Sequence, residues 1–108
     1  MTPKQFRDMA DDCLERTADW LEAFDPDDLD FSTADGVITL EFADGTRFVL
    51  NRQSGNNQMW FAAGARAWHY DWNEDKNAWL DDKDGHELFG NIERVVADKF
   101  GRAVDSFS

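Results

Sequence analysis

Acidic residues recur at steps of three and four along the first 22 positions, as they would on one face of an α-helix. Carboxylate oxygens are hard ligands that suit hard cations such as Fe³⁺, Ca²⁺ and Mn²⁺. An open row of them forms no closed cage, so we expect weak sites that accept several metals. Four further acids extend the row beyond the helix. The candidate metal ligands are Asp8, Asp11, Asp12, Glu15, Asp19, Glu22, Asp25, Asp27, Asp28 and Asp30.

This row of carboxylates repels itself. Like charges at helical spacing cost about 0.2–0.5 kcal/mol per pair, so the pairs between residues 8 and 22 together cost about 1–3 kcal/mol. Residues 1–35 hold eleven acidic and only three basic residues, which leaves little local charge to offset the repulsion. A bound cation or a basic protein surface would relieve it. The alternative interpretation is a solvated face that serves solubility.

Other reactive residues are few. Cys13 is the only cysteine, so no disulfide forms within the chain, and its place on an apolar helix face predicts a core position. His69 and His86 have no metal-ligating residue three or four positions on, and we interpret them as ordinary surface or loop histidines. We find no nucleophile–base arrangement and no glycine-rich phosphate loop, so we do not expect an enzyme.

Two predicted helices flank a predicted sheet. Apolar spacing predicts a first helix over residues 3–24, which Asp25-Pro26 ends because proline disfavours the α conformation before it. A second apolar stripe predicts a helix capped by Asp84, with Glu87 as capping-box partner, that runs to Phe100. Strand-like runs separated by turn residues lie between them, and Asp44-Gly45 between the first two runs predicts a hairpin. The predicted strands are residues 36–42, 46–51, 58–62, 68–72 and 78–80.

This order of elements predicts an α+β fold, a two-layer sandwich of two helices packed on one face of an antiparallel sheet of about five to six strands. The other sheet face meets solvent or a partner. If the helices cover Met59 and Phe61, alternation turns Trp60 outwards, where it would anchor a protein interface. We expect one domain over residues 1–108, with residues 102–108 as a C-terminal tail.

The overall charge narrows the classes of partner. The 108 residues carry a formal net charge of −12. Nucleic acid backbones and anionic membranes are bound through Lys and Arg, so neither is an expected partner. Cations or a basic protein surface are favoured. No apolar run is long enough to span a membrane, and no signal-peptide pattern is present, so we expect a cytoplasmic protein.

The strands also carry a recognisable signature. The segment Asn51-Arg52-Gln53, four turn residues and then Gln58-Met59-Trp60-Phe61-Ala62 resemble the frataxin family, as does His69-Tyr70-Asp71. The acidic first helix, Asp-rich link, sheet and closing helix agree with the family's order of elements from about Phe6 to Gly101. The similarity is to the bacterial CyaY branch, which has no targeting extension.

The resemblance implies an iron-binding protein of iron–sulfur cluster assembly that binds Fe²⁺ and Fe³⁺ weakly on the acidic residues. It also implies docking on a cysteine desulfurase–scaffold complex, as iron sensor or donor. The sheet surface implied for docking contains Asn51, Gln53, Gln58 and Trp60. A monomer is the default, and excess iron assembles some family members. Two alternatives stay open: ferroxidase-like iron oxidation and storage, and an acidic module that mimics nucleic acid.

Overall fold

The computed structural model describes residues 1–107, which form two helices and six strands. In chain order these are α1 (Pro3–Leu21), β1 (Leu29–Ala34), β2 (Val37–Phe42), β3 (Arg47–Gln53), β4 (Gln58–Ala63), β5 (Arg66–Asn73), β6 (Ala78–Asp81) and α2 (Leu88–Phe100). No helix within residues 1–107 is both long and apolar enough to cross a membrane.

The strands form one antiparallel sheet in the order β1-β2-β3-β4-β5-β6, so each strand pairs with its neighbour in sequence. Tight turns join them, and Gly45 takes the positive φ of +87° that the predicted Asp44-Gly45 hairpin requires. Apolar side chains from both helices and from one face of the sheet make a single core. The predicted α+β sandwich is confirmed, with six strands.

The burial of alternate residues in β4 shows which face of the sheet the helices cover. Met59 and Phe61 are fully buried, whereas Trp60 between them is only half-buried and lies on the opposite face. Cys13 is buried on the inner face of α1, as predicted, and burial raises the pKa of its thiol above the ordinary range. Trp20 and Trp79 are also core residues.

The first strand was not predicted. β1 pairs with β2 in an unbroken register from Leu29 opposite Phe42 to Ala34 opposite Val37. Its sequence is mostly polar or small, because a strand at the sheet edge with one solvated face buries little. Leu29 is fully buried and Phe31 packs partly against the core.

Two helix boundaries differ from prediction. α1 ends at Leu21, and the backbone N–H groups of Ala23 and Phe24 then bond three residues back, in a tighter turn. α2 is capped by Glu87, whose carboxylate accepts hydrogen bonds from two backbone N–H groups at the helix start. The prediction of Asp84 as the cap was wrong, because its carboxylate bonds to His86 instead.

The end of α2 follows the prediction. Gly101 terminates it in the left-handed conformation, with φ of +71°. Residues 102–107 then form neither helix nor strand and lie against the aromatic side chains of both helices. The predicted tail includes Ser108, which lies outside the described residues.

Candidate functional site

The outward side of α1 is lined with carboxylates, which we call the acidic face. Thr2 and Gln5 form a reciprocal capping box that starts the helix, and the inward side is buried against the sheet. Burial of that side fixes the helix rotation, so the acidic residues must face solvent. All six are exposed. The acidic face consists of Asp8, Asp11, Asp12, Glu15, Asp19 and Glu22.

The other four predicted ligands lie elsewhere. Asp25, Asp27 and Asp28 are exposed in the loop between α1 and β1, where the Asp25 carboxylate accepts the backbone N–H of Asp27 at 2.9 Å. Asp30 stands opposite Glu41 in the β1–β2 register, on the sheet face that points away from the helices. The structure therefore places six of the ten on α1 and its C-terminal cap, three in the loop that follows, and Asp30 on the outer face of the sheet.

Two residues of the acidic face already have basic partners. Lys4 Nζ lies 2.8 Å from Asp8 Oδ2, and the hydrogen bond to Asp8 raises the pKa of the Lys4 ammonium. Arg52 Nη1 lies 2.8 Å from Asp11 Oδ1 and reaches it from strand β3. Within residues 1–107 the remaining carboxylates of the acidic face form no ion pair. They are Asp12, Glu15, Asp19 and Glu22.

The acidic face does not converge on one point. In the part of the chain that is described, three potential ligand atoms lie within 4.8 Å of one another only at Asp81, Asp84 and His86. Neighbours on the acidic face are instead spaced at about 5–6 Å between Cβ atoms, as in any helix. A cation held there would take one or two carboxylate oxygens and complete its shell with water.

The Asp81–Asp84–His86 group is accounted for by turn structure. Asp81 Oδ2 accepts the backbone N–H groups of Lys83 and Asp84, each at 2.9 Å. Asp84 Oδ1 accepts from the backbone and ring of His86, and these hydrogen bonds lower the pKa of the Asp84 carboxyl. On its other side, His86 Nε2 lies 2.7 Å from the hydroxyl of Tyr70.

The outer sheet face brings together the predicted partner-binding residues, which we call the tryptophan patch: Asn51, Gln53, Gln58 and Trp60. Asn51 and Gln53 stand directly opposite Trp60 and Gln58 in the β3–β4 register. The Trp60 indole N–H donates to Gln58 Oε1 at 3.0 Å. The ring stacks on His69 of β5, with centroids 4.3 Å apart. The indole is therefore held in place while it remains only half-buried.

Sequence reasoning missed two residues beside the acidic face. Arg47 pairs with Glu41 of the neighbouring strand, whereas Arg52 reaches Asp11 of α1. Asp35, in the β1–β2 turn, lines a concavity of about 230 Å³ together with Glu15. Neither placement has a local sequence signal, because each depends on how α1 packs against a turn or strand far along the chain.

The fold is a small two-layer α+β domain that exposes a row of carboxylates on α1 and a polar, tryptophan-bearing sheet face. Residues 1–102 match the family model of the frataxin-like domain. The chain belongs to the frataxin-like family, and the resemblance inferred from Asn51 to Ala62 is confirmed.

Individual relatives agree with this assignment. The chain is 36% identical over 96 residues to the iron-sulfur cluster assembly protein CyaY of Thioalkalivibrio sulfidiphilus, covering 88% of this chain and 90% of the relative. It superposes on frataxin from Psychromonas ingrahamii with a TM-score of 0.87 at 28% identity, covering 100% and 99% of the two chains. Trimeric frataxin from Saccharomyces cerevisiae, complexed with ferrous iron, gives a TM-score of 0.74 at 28% identity, with 87% of each chain covered.

Proposed function

We propose that this protein is a non-enzymatic, iron-binding regulator of iron–sulfur cluster assembly in the cytoplasm. It holds Fe²⁺ and Fe³⁺ weakly on the acidic face and the adjoining loop acids, and other divalent cations compete for the same oxygens. The observation that carries the proposal is the exposed run from Asp12 to Glu22, four carboxylates without a basic partner in residues 1–107.

The relatives support this assignment of cargo and process. Bacterial relatives at 30–36% identity are named for iron–sulfur cluster assembly, and the yeast frataxin of the same fold was solved with ferrous iron. The yeast protein is a trimer. We propose a monomer for this chain at low iron, and oligomers when excess iron bridges carboxylates of different copies.

The second part of the proposal concerns docking. A cysteine desulfurase and a scaffold protein are the proposed partners, and the chain acts on them as iron sensor or donor. The acidic face suits a basic protein surface, because the chain carries a net charge of −12. The tryptophan patch supplies an aromatic anchor flanked by amide groups, a composition typical of interface hot spots.

A residue-resolved titration tests the iron site. The ¹⁵N-labelled protein is titrated anaerobically with Fe²⁺ and separately with diamagnetic Ca²⁺, while amide signals are followed by NMR. We expect broadening by Fe²⁺ and shifts by Ca²⁺ to be confined to residues 8–30. Unchanged signals in that range at millimolar metal would overturn the iron site and leave the acidic face as a docking or solubility surface.

A matched pair of variants separates a local site from net charge. Glu15→Gln with Asp19→Asn removes two carboxylates of the acidic face, and Glu74→Gln with Asp75→Asn removes two exposed ones from the β5–β6 turn. We expect only the first variant to lose Ca²⁺ and Fe²⁺ binding. Equal losses in both variants would indicate general attraction to an acidic protein.

A further inference from the structure

Arg52 joins the acidic face to the sheet. Its side chain follows Phe48 and Leu50 on the inner face of β3, and its Nη1 donates to Asp11 Oδ1 at 2.8 Å. The Arg52 side chain is 20% exposed, whereas Asp11 is 54% exposed. The positively charged guanidinium of Arg52 therefore pairs with a carboxylate that we propose as a metal ligand.

The position of the guanidinium is fixed by the β1–β2 turn. Gly36 has φ of +84°, and its carbonyl accepts the backbone N–H of Arg52 at 3.0 Å. A Cβ atom at position 36 would lie 2.8 Å from Arg52 Nε and 2.9 Å from Cζ. The Arg52 side chain thus crosses directly over Gly36, which leaves room for it because it has no side chain. Unlike a free surface arginine, Arg52 is directed towards α1 by the packing around it.

We propose that Arg52 is a built-in counter-cation that determines which carboxylates of the acidic face take metal. The inference rests on the proposed function, since it concerns the same cation-binding surface. The guanidinium occupies one oxygen of Asp11 and places a positive charge near Asp8 and Glu15, which lie three and four residues from Asp11 on the same side of the helix. A metal ion that binds to the half of the acidic face around Asp11 must displace the guanidinium or approach against its positive charge.

The other half of the acidic face lies beyond this influence. Asp19 is eight residues from Asp11, about 12 Å along the helix axis. The Debye length at physiological ionic strength is about 8 Å, so across the solvated surface of the helix the charge of Arg52 acts much more weakly on Asp19 than on Asp11. Metal therefore binds preferentially at Asp19 and Glu22, and the half around Asp11 fills only when Arg52 is released.

The test compares two variants that each remove one positive charge from β3. Arg52→Gln removes the counter-cation. Arg47→Gln is the control, because Arg47 pairs with Glu41 on the outer sheet face. Each protein is titrated with Ca²⁺, and apparent affinities are measured separately from the amides of residues 8–12 and 19–22. We expect Arg52→Gln to tighten binding at residues 8–12 by about 2- to 5-fold, the range of an exposed ion pair. Binding at 19–22, and both halves of Arg47→Gln, stay unchanged.

A second pair of variants shows whether the effect passes through Asp11. In an Asp11→Asn background, Arg52→Gln should no longer change the affinity at residues 8–12. Arg52→Lys keeps the charge without the planar fork and should bind Ca²⁺ there as weakly as the parent protein. If Arg52→Gln fails to give a dispersed NMR spectrum, the comparison of parent, Asp11→Asn and Arg52→Lys replaces it. The double variant Asp11→Asn with Arg52→Lys must then bind Ca²⁺ at residues 8–12 with the same affinity as Asp11→Asn alone.

The outcomes separate this inference from the proposed function. If Ca²⁺ shifts the amide signals of residues 19–22 in every variant, but Arg52→Gln does not raise the Ca²⁺ affinity at residues 8–12, the role of Arg52 is overturned. The iron-binding function is then left intact. Absence of shifts in both halves of all variants overturns both. Equal gains in Ca²⁺ affinity in Arg52→Gln and Arg47→Gln overturn the inference, because the effect would then come from net charge. Ca²⁺ affinity at residues 8–12 that rises only when Arg52 is replaced by Gln supports it most directly.

Discussion

The indole nitrogen of Trp20 donates a hydrogen bond to the backbone carbonyl of Asp105, 2.7 Å away, and so ties the end of α1 to the chain beyond α2. This contact seats Phe107 between the helices. Its ring stacks on Trp20 with centroids 4.6 Å apart and on Phe89 of α2 at 4.4 Å. The segment after α2 therefore closes the space between the two helices.

Truncation of the Phe107 ring should destabilise the fold. Phe107→Ala removes two aromatic stacking contacts and part of the apolar area buried at the helix ends, so we expect a loss of about 2 kcal/mol. The melting temperature should fall by about 10 °C. Thermal unfolding measures it, with exposed Ser106→Ala as the control. Equal melting temperatures for both variants would contradict closure by the C-terminal segment.

A buried polar network gives a second stability prediction. The Tyr70 hydroxyl accepts Asn91 Nδ2 at 2.8 Å and also bonds His86, and burial raises the phenol pKa, so the group stays neutral. Tyr70→Phe leaves the buried Asn91 amide short of a partner and should cost about 1–3 kcal/mol. Denaturant unfolding should show that Tyr70→Phe with Asn91→Leu recovers part of this loss. A loss of unfolding free energy in the double variant that exceeds the sum of the losses in the two single variants would refute the network.

The sequence predicted the parts of the fold whose signal is local. Helical spacing identified α1 and α2, and Asp44-Gly45 identified the β2–β3 hairpin. β1 was missed because only Leu29 and Phe31 of its inward positions are large and apolar, Thr33 being the third, while Asp30 and Ser32 face outwards, a pattern too polar to stand out from a loop. Its pairing with β2 decides its conformation, and pairing is a tertiary property.

The candidate site was predictable to a similar degree. The exposure of the acidic face follows from helix periodicity, and the outward direction of Trp60 follows from strand alternation. The contact of Arg52 with Asp11 joins residues 41 positions apart, so no spacing rule indicates it. Asp30 was grouped with the other acids because they are close in sequence, although the β1 register places it on the opposite sheet face.

The pair Lys99–Asp44 predicts a pH dependence of stability. The hydrogen bond from Lys99, followed by those from Thr46, holds the pKa of the Asp44 carboxyl well below its ordinary value of about 3.9. A carboxyl with a lowered pKa in the folded state stabilises the protein above its unfolded pKa, and this stability is lost as pH falls through the folded pKa.

Lys99→Gln should therefore destabilise the protein at pH 7, and its difference from the parent should shrink as the pH falls below about 4. Melting temperatures at pH 7, 5, 3 and 2 measure this trend. Lys83→Gln is the control, because Lys83 is exposed and its side chain forms no ion pair within residues 1–107. A Lys99→Gln penalty that persists undiminished at pH 2 would rule out this linkage.

The tryptophan patch predicts a separation of binding from stability. Trp60→Ala removes an aromatic anchor whose ring stacks on His69 alone among the aromatic rings of residues 1–107, so the fold should lose about 1 kcal/mol. Binding to the desulfurase–scaffold complex should weaken at least about tenfold if Trp60 is a hot spot. Calorimetric titration measures it, with Thr39→Ala on the same sheet face as the control. Unchanged affinity for Trp60→Ala would remove this surface from the docking model.

Neutralising the acidic face should stabilise the protein while removing its proposed function. Glu15→Gln with Asp19→Asn eliminates the like-charge pairs that these residues make with Asp11, Asp12 and Glu22, each costing about 0.2–0.5 kcal/mol. It also removes negative charge near the C-terminal end of α1, where the helix dipole is unfavourable to anions. We expect a gain of about 1–2 kcal/mol in the free energy of unfolding at low ionic strength.

Salt distinguishes this electrostatic gain from altered packing. At 1 M salt the Debye length is about 3 Å, so the advantage of Glu15→Gln with Asp19→Asn should almost vanish. Urea unfolding at low and high salt measures it, with Glu74→Gln and Asp75→Asn as the matched control. A variant that gains stability and loses Ca²⁺ binding shows that the parent keeps a destabilising charge row for the sake of binding. A gain that is absent at low salt, or equal at 1 M, would mean that the carboxylates do not strain α1.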